Sequence, residues 1–149
     1  MILIIDDDRQ YADLMATLLT RKGYCAYPVY SASRALNSIE ANAHAIECII
    51  LDIMMPPGRM FSSTATRHGR YTGMQVFTSI RSLLPEVPIY VTTVIRDAHI
   101  VEWLEGQHRC QVWLKAFDTS DLLDAIDKTL HRLGTRLIDR LQKCPCGRS

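Results

Sequence analysis

Side chains that bind cations or phosphate follow four short apolar runs in this sequence. They are Asp6, Asp7 and Asp8, then Asp52, then Thr92 and Thr93, and finally Lys115. Each stands where an apolar run ends, which is where a buried strand would end. Ligands bind at the carboxyl edge of an open parallel sheet. The sequence therefore predicts that these residues form one site at that edge.

The acids of this set predict a divalent cation. Several carboxylates at one edge repel one another unless a cation lies among them. An all-oxygen ligand set suits Mg²⁺ better than Zn²⁺, and no His or Cys ends any of these runs. A Thr hydroxyl and the Lys115 ammonium add a donor and a positive charge, which together suit a phosphate group.

Asp52 is the candidate nucleophile, because a carboxylate that attacks phosphorus gives an aspartyl phosphate. It stands alone at its strand end, whereas Asp6 and Asp7 are paired and can share the metal. A carboxylate is a weak nucleophile, so catalysis would depend on positioning and on charge neutralisation by the metal and Lys115. The alternative is structural, since acids commonly end strands and cap helices.

Five apolar runs alternate with five helical patterns along the chain. The predicted strands are Met1–Ile5, Tyr24–Val29, Ile46–Leu51, Pro88–Thr93 and Gln111–Leu114. The predicted helices are Arg9–Lys22, Ser33–Ala41, Met74–Leu84, Asp97–Gly106 and a last one capped by Thr119 or Ser120. Asp8 is the expected cap of the first helix, and Gly23 its stop. This alternation predicts a doubly wound, parallel α/β sheet with helices on both faces, in three layers.

Length and composition predict one globular domain. The chain has 149 residues, of which 48% are hydrophobic and 22% charged, and its formal net charge is +1. That balance gives no general attraction to nucleic acid, so none is expected as a partner. No apolar run is long enough to cross a membrane, and we expect a cytoplasmic protein. Five scattered cysteines indicate reduced thiols.

Over about residues 1–133 the sequence resembles the receiver domain of two-component response regulators. Four motifs in the family's order and spacing carry the resemblance: Ile-Ile-Asp6-Asp7-Asp8, Ile-Ile-Leu-Asp52-Ile-Met-Met-Pro56, Pro88-Ile-Tyr-Val-Thr-Thr93 and Trp-Leu-Lys115-Ala-Phe117. The resemblance implies a flavodoxin-like sheet with strand order 2-1-3-4-5.

The resemblance also implies roles for the site residues. Asp6 and Asp7 would serve Mg²⁺ together with Asp52, the phosphoacceptor, and with the Met54 backbone carbonyl. Thr93 would contact the phosphoryl group and Lys115 would pair with it. Thr92 is the alternative to Thr93, since only the phase of the strand separates them. A sensor histidine kinase or a phosphotransfer protein would be the phosphoryl donor.

On this interpretation the chain is a stand-alone response regulator that signals by contact with a downstream protein. It is expected to be a phosphoacceptor switch with self-phosphorylation and autodephosphorylation rather than a turnover enzyme. One alternative is an interaction module that keeps the fold and ignores phosphate. The other, an aspartyl-phosphate phosphatase of the haloacid dehalogenase type, is disfavoured because Met54 stands where that family has a second Asp.

The sequence departs from the family at several positions. Ala116 replaces a proline, Val112 replaces an aromatic residue, and Val94 replaces a small one. The loop at about 57–72 is a long insertion, and it is a candidate lid over Asp52. Residues 134–149 extend the last helix with an apolar seam suited to a homodimer and end in a tail containing Cys144 and Cys146.

Overall fold

The computed structural model describes residues 1–56, 72–116 and 118–132, and these contain a five-stranded parallel sheet. Its strands are β1 (Ile2–Ile5), β2 (Ala26–Val29), β3 (Cys48–Asp52), β4 (Ile89–Thr93) and β5 (Cys110–Leu114). Their order across the sheet is β2-β1-β3-β4-β5, and each neighbouring pair is parallel. The predicted α/β fold and its strand order are confirmed.

In the described part of the chain, five α-helices cover the two faces of the sheet. They are α1 (Arg9–Arg21), α2 (Ala32–Asn42), α3 (Thr72–Leu83), α4 (Ala98–Glu105) and α5 (Thr119–Arg132), with a short 3₁₀ turn at Ala43–Ala45. Apolar side chains of α1 and α5 pack on one face, and those of α2, α3 and α4 pack on the other. No helix among the described residues is long and apolar enough to cross a membrane.

The central strands are apolar throughout because both of their faces are buried. In β1, Ile2 and Ile4 pack with the α1/α5 layer, whereas Leu3 and Ile5 pack with the opposite layer. Burying each such side chain contributes roughly 1.5–3 kcal/mol. The same alternation continues through β3 and β4, which fixes the face on which each following residue lies.

The β2 strand lies at one edge of the sheet. The carbonyl oxygens of Cys25 and Val29 accept hydrogen bonds from the backbone N–H groups of Ile2 and Asp6. Successive residues of a strand direct their backbone groups to opposite sides. Val29 faces β1, so Pro28, which precedes it, directs its backbone away from β1. Proline lacks an N–H, and this outward position is where an edge strand tolerates it.

The ends of α1 follow the sequence prediction, whereas the start of α5 does not. Asp8 caps α1 by accepting from the Tyr11 N–H at 3.2 Å. Gly23 follows α1 with a φ of 87°, in the left-handed region that glycine adopts without strain. The prediction of Thr119 or Ser120 as the cap of α5 is wrong. Asp118 occupies that position and accepts from the Ser120 N–H at 2.9 Å.

The prediction of reduced thiols is confirmed for two described cysteines and wrong for one. Cys48 and Cys110 are free, whereas Cys25 is disulfide-bonded. The insertion at 57–72 lies outside the described residues except for Thr72, the first residue of α3. The proposed lid, the seam beyond Arg132 and the tail with Cys144 and Cys146 also lie outside them and stay predictions.

Gly73 lets α3 begin directly against the end of β3. Its N–H donates to the Ile53 carbonyl at 3.0 Å. A Cβ at this position would lie 2.3 Å from the Cα of Ile53 and 2.5 Å from the Asp52 carbonyl oxygen. Both contacts are with backbone, so neither can be relieved by a side-chain rotation. Because Gly73 has no side chain, the start of α3 can lie directly against Ile53, the residue that follows β3.

We expect Gly73→Ala to destabilise the protein by at least about 1–3 kcal/mol, because overpacking forces the backbone apart. Gly106→Ala is the matched control, since a Cβ there meets its nearest atoms at 3.4 and 3.5 Å. The control should stay within about 0.5 kcal/mol of the parent. Urea unfolding measures both variants, and equal stabilities would contradict the close approach at Gly73.

Candidate functional site

Three of the strand-end residues share one face of the sheet. Asp6 follows Ile4 by two positions, Asp52 follows Ile50 and Thr92 follows Tyr90, and all three preceding residues pack with α1 and α5. Side chains two apart lie on the same face of a strand. Asp52 also pairs with Thr92 in the β3/β4 register. The fold therefore brings these side chains to the carboxyl edge of the sheet, beneath the start of α1.

Lys115 joins the two buried carboxylates of this edge. Its ammonium lies 2.9 Å from Asp6 Oδ2 and 2.8 Å from Asp52 Oδ2 and donates a hydrogen bond to each. Asp6 and Asp52 are 1% and 4% exposed, so these bonds form away from bulk water. Charge-assisted hydrogen bonds in such surroundings are stronger than neutral ones. One cation thus holds acids from two adjacent strands.

Burial opposes ionisation of both acids. It raises the pKa of Asp6 above its usual value and raises the pKa of Asp52 to about 6, although the hydrogen bonds from Lys115 act in the opposite direction. Burial lowers the pKa of Lys115, but the hydrogen bonds to Asp52 and Asp6 outweigh this effect and raise the pKa to about 12. Lys115 is therefore charged at neutral pH.

Asp7 completes an acidic cluster with Asp6 and Asp52. One potential ligand oxygen from each residue lies within 4.8 Å of the others, and Asp7 is the exposed member. Three ionised carboxylates against the single Lys115 ammonium leave an excess of negative charge that a divalent cation would balance. The ligand atoms are all carboxylate oxygens, which Mg²⁺ prefers. The predicted acidic set is thus brought together, and its chemistry fits Mg²⁺.

The backbone after Asp52 turns back over its carboxylate. Asp52 Oδ1 accepts from the Met54 N–H at 2.9 Å, while Oδ2 is held by Lys115. Met54 is 37% exposed and lies beside the cluster as predicted, although its carbonyl makes no contact that tests the predicted role. The two oxygens of Asp52 are thereby fixed in orientation.

The two threonines at the end of β4 lie on opposite faces. Thr93 follows Val91 on the α2/α3/α4 side, and its Oγ1 accepts from the Ile95 N–H at 3.1 Å. Thr92 lies on the side of Asp52 and Lys115, and its buried hydroxyl has no hydrogen-bond partner among the described residues. The role predicted for Thr93 and the alternative of Thr92 both stay predictions.

Tyr11 belongs to this cluster although the sequence gives it only a place on the apolar stripe of α1. The Lys115 ammonium lies 4.9 Å from the centre of its ring, within the range of a cation–π contact. Its hydroxyl is buried next to the charged groups. The only sequence signal is its position three residues after Asp8, in the first turn of a helix that begins at the site.

Comparison with known proteins agrees with this geometry. Residues 2–127 match the family model of the response regulator receiver domain. The chain belongs to this family. Receiver domains are the phosphoryl-responsive switches of two-component systems, and in general they bind Mg²⁺ through an acidic cluster such as the one described above.

Curated relatives of this receiver domain include regulatory proteins longer than the chain. It is 36% identical over 55 residues to regulatory protein VanRc of Enterococcus gallinarum, covering 37% of this chain and 23% of that protein. It is 29% identical over 141 residues to the probable transcriptional regulator ycf27 of Cyanidium caldarium, covering 91% and 48%. The chain thus spans less than half the length of these relatives.

Solved structures agree on the fold. A two-component response regulator from Clostridium difficile superimposes with a TM-score of 0.71 at 21% identity, covering 90% of this chain and 98% of that one. Identity at this level supports the receiver fold, while the site must be argued from the residues of this chain.

Because the pKa of Asp52 is raised to about 6, we expect Mg²⁺ to stabilise the receiver more at pH 7.5 than at pH 5. A protonated carboxyl is a poor metal ligand, so protons compete with the cation below about pH 6. At ten times the dissociation constant, Mg²⁺ would add about 1.4 kcal/mol of stability. Thermal unfolding with and without Mg²⁺ at the two pH values provides the measurement.

In the metal-free protein, the contribution of Asp52 to stability changes with pH in the opposite direction. The folded state holds the Asp52 proton more tightly than the unfolded chain does between about pH 4 and 6, so this group's contribution falls as the pH rises through that window. Asp7→Asn should weaken the Mg²⁺ effect, whereas Asp8→Asn, which keeps a capping side chain, should not. Equal Mg²⁺ shifts at both pH values would contradict a metal ligand role for Asp52.

Proposed function

We propose that this receiver accepts a phosphoryl group on Asp52 in a Mg²⁺-dependent reaction. The observation that carries the proposal is the Lys115 ammonium, held between Asp6 Oδ2 and Asp52 Oδ2 at 2.9 and 2.8 Å. A cation in this position is suited to neutralise charge that arrives on Asp52. The donor would be the phosphohistidine of a sensor histidine kinase or of a phosphotransfer protein.

Phosphoryl transfer requires Asp52 to be ionised. A carboxylate oxygen of Asp52 forms the new O–P bond, the N–P bond of the donor breaks, and the donor imidazole leaves with its electron pair and takes up a proton. With its pKa raised to about 6, Asp52 is mostly ionised at neutral pH. Its two oxygens are already oriented by the Met54 N–H and by Lys115.

Four residues are proposed to hold the metal: Asp6, Asp7, Asp52 and the backbone carbonyl of Met54. Mg²⁺, when bound, would neutralise negative charge on the entering phosphoryl group. On the protein side, the Lys115 ammonium pairs with a phosphoryl oxygen, and the Thr93 hydroxyl donates to another. The register pairs Asp52 with Thr92, so Thr92 remains the alternative to Thr93 for this contact.

The output is proposed to be contact with another protein. Apolar side chains at the β4, α4 and β5 end of the molecule are exposed: Val94 by 60%, Trp103 by 43% and Leu114 by 41%. Exposed apolar groups of this size are typical of interaction surfaces. The alternative function is an interaction module that binds its partner through these side chains whether or not Asp52 is phosphorylated. In that case Asp52→Asn would leave partner binding unchanged. The stand-alone architecture stays a prediction.

Incubation with acetyl phosphate and Mg²⁺ should add one phosphoryl group, seen as a mass increase of about 80 Da, to the wild-type protein. Asp52→Asn should abolish the adduct because it removes the attacking oxygen, and excess EDTA should suppress it. Asp8→Asn, a neighbouring acid that only caps α1, should behave as the wild type. Intact-mass spectrometry reads all three, and an adduct that survives in Asp52→Asn would refute the assignment.

The phosphoprotein is expected to be long-lived. In this family the residues two beyond the phosphoacceptor and two beyond the site threonine flank the path of the hydrolytic water. With Thr93 as that threonine, they are Met54 and Ile95, and neither side chain can orient a water. Val94, the position counted from Thr92, is equally apolar.

Met54→Asn combined with Ile95→Glu should therefore speed decay of the phosphoprotein several-fold, by supplying polar partners for the water. Decay is followed by intact mass in Mg²⁺ after the donor is removed. Leu83→Glu, which changes another exposed apolar side chain on α3, is the control and should leave the rate unchanged. Loss of the wild-type phosphoryl group within seconds, at a rate insensitive to the double substitution, would refute the expectation.

A further inference from the structure

A cavity of about 400 Å³ lies beside β2, outside the acidic cluster. Sites for small molecules in proteins usually measure about 300–1,000 Å³, so the cavity can hold a ligand of the size of a mononucleotide. Its walls come from β2 and from the first two turns of α2, and they include Tyr27, Pro28, Val29, Arg34, Asn37 and Ser38.

Tyr27 gives this cavity an aromatic wall. Val29 packs in the core on the α2 side of the sheet, and Tyr27, two residues earlier in the same strand, shares that face. Because β2 is the edge strand, the Tyr27 ring is exposed instead of being packed into the core. An exposed aromatic ring provides a flat surface on which a nucleobase can stack.

Arg34 supplies the positive charge of the cavity. Its backbone N–H donates to Ser31 Oγ at 3.4 Å, whereas its guanidinium forms no ion pair or hydrogen bond within the part of the chain that the structure describes. No acid is among the residues that line the cavity. A guanidinium binds two oxygens of a phosphate at once, so one uncommitted arginine favours a ligand with one phosphate group.

Neutral polar groups complete the lining between the aromatic ring and the charge. Asn37 and Ser38 follow Arg34 by three and four residues, so the three side chains are neighbours on the surface of α2. The Pro28 carbonyl points away from β1 and can accept a hydrogen bond at the edge of the sheet. An amide, a hydroxyl and a carbonyl suit the hydroxyls of a sugar and the amino group of a base.

We propose that this cavity binds a nucleoside monophosphate, with its base against the Tyr27 ring and its phosphate on the Arg34 guanidinium. Asn37 and Ser38 bind the ribose between them. The site is separate from the phosphorylation proposed for Asp52 and does not depend on it. It nevertheless adjoins the acidic cluster, since the Val29 carbonyl accepts from the Asp6 N–H at 3.1 Å.

Titration of the ¹⁵N-labelled protein with AMP and with GMP, followed by NMR, tests the proposal. We expect at least one of the two to bind with a dissociation constant below about 1 mM. The amide shifts should change most at Tyr27, Val29, Arg34 and Asn37. Adenosine or guanosine, which lack the phosphate, and ribose 5-phosphate, which lacks the base, should each bind at least about tenfold more weakly.

Arg34→Gln and Tyr27→Ala should each weaken nucleotide binding by about fivefold or more, whereas Tyr27→Phe keeps the ring and should bind as the wild type does. Arg21→Gln changes another exposed arginine, at the end of α1, and is the matched control. These side chains are exposed, so the melting temperatures should stay close to that of the wild type.

Three results would overturn the inference. They are no saturable binding of either nucleotide up to about 10 mM, binding of inorganic phosphate as tight as that of the nucleotide, and binding that is unchanged in both Arg34→Gln and Tyr27→Ala. Shift changes confined to the surroundings of Asp52 would place the nucleotide at the acidic cluster and would overturn it as well. Asp52→Asn should bind the nucleotide as the wild type does, which keeps this test separate from that of the proposed function.

Discussion

The Lys115 ammonium holds two buried carboxylates that belong to different strands, and the geometry of the whole carboxyl edge depends on that contact. Taking a carboxylate out of water costs several kcal/mol unless a partner is in place, and removal of one partner from a buried pair typically costs about 3–5 kcal/mol. Lys115 follows β5, whereas Asp52 ends β3 and Asp6 follows β1. The contact therefore joins residues at the ends of three strands, β1, β3 and β5.

The reach of this lysine places a requirement on the strand between its partners. Neighbouring strands lie about 4.8 Å apart, so the side chain must pass over the end of β4 to meet Asp52. Thr92 is small enough to let it pass and still places a hydroxyl there. The aromatic ring of Tyr11 also lies against the ammonium. Lys115 is thus enclosed by neighbours that hold it against its two buried, charged partners.

The sequence identified the strand ends well but could not determine the face of every residue. Asp6, Asp52 and Lys115 were found because each interrupts an apolar run and a parallel sheet collects such ends. The β4 run is buried on both faces, so it lacks the alternation that would have separated Thr92 from Thr93. Tyr11 occupies an apolar position of α1, and only the packed structure shows that its hydroxyl lies beside the charges.

Pro28 limits how copies of this protein can associate through the sheet. The free edge of a sheet offers a row of donors and acceptors to any strand that approaches. On the free edge of β2 the outward position is Pro28, which has no N–H. A strand added to this edge would therefore lack one backbone hydrogen bond in the middle of the ladder. This side of the sheet resists growth into a larger one. Assemblies of this receiver should accordingly be built from helical surfaces or from the β5 side, rather than by extending the sheet past β2.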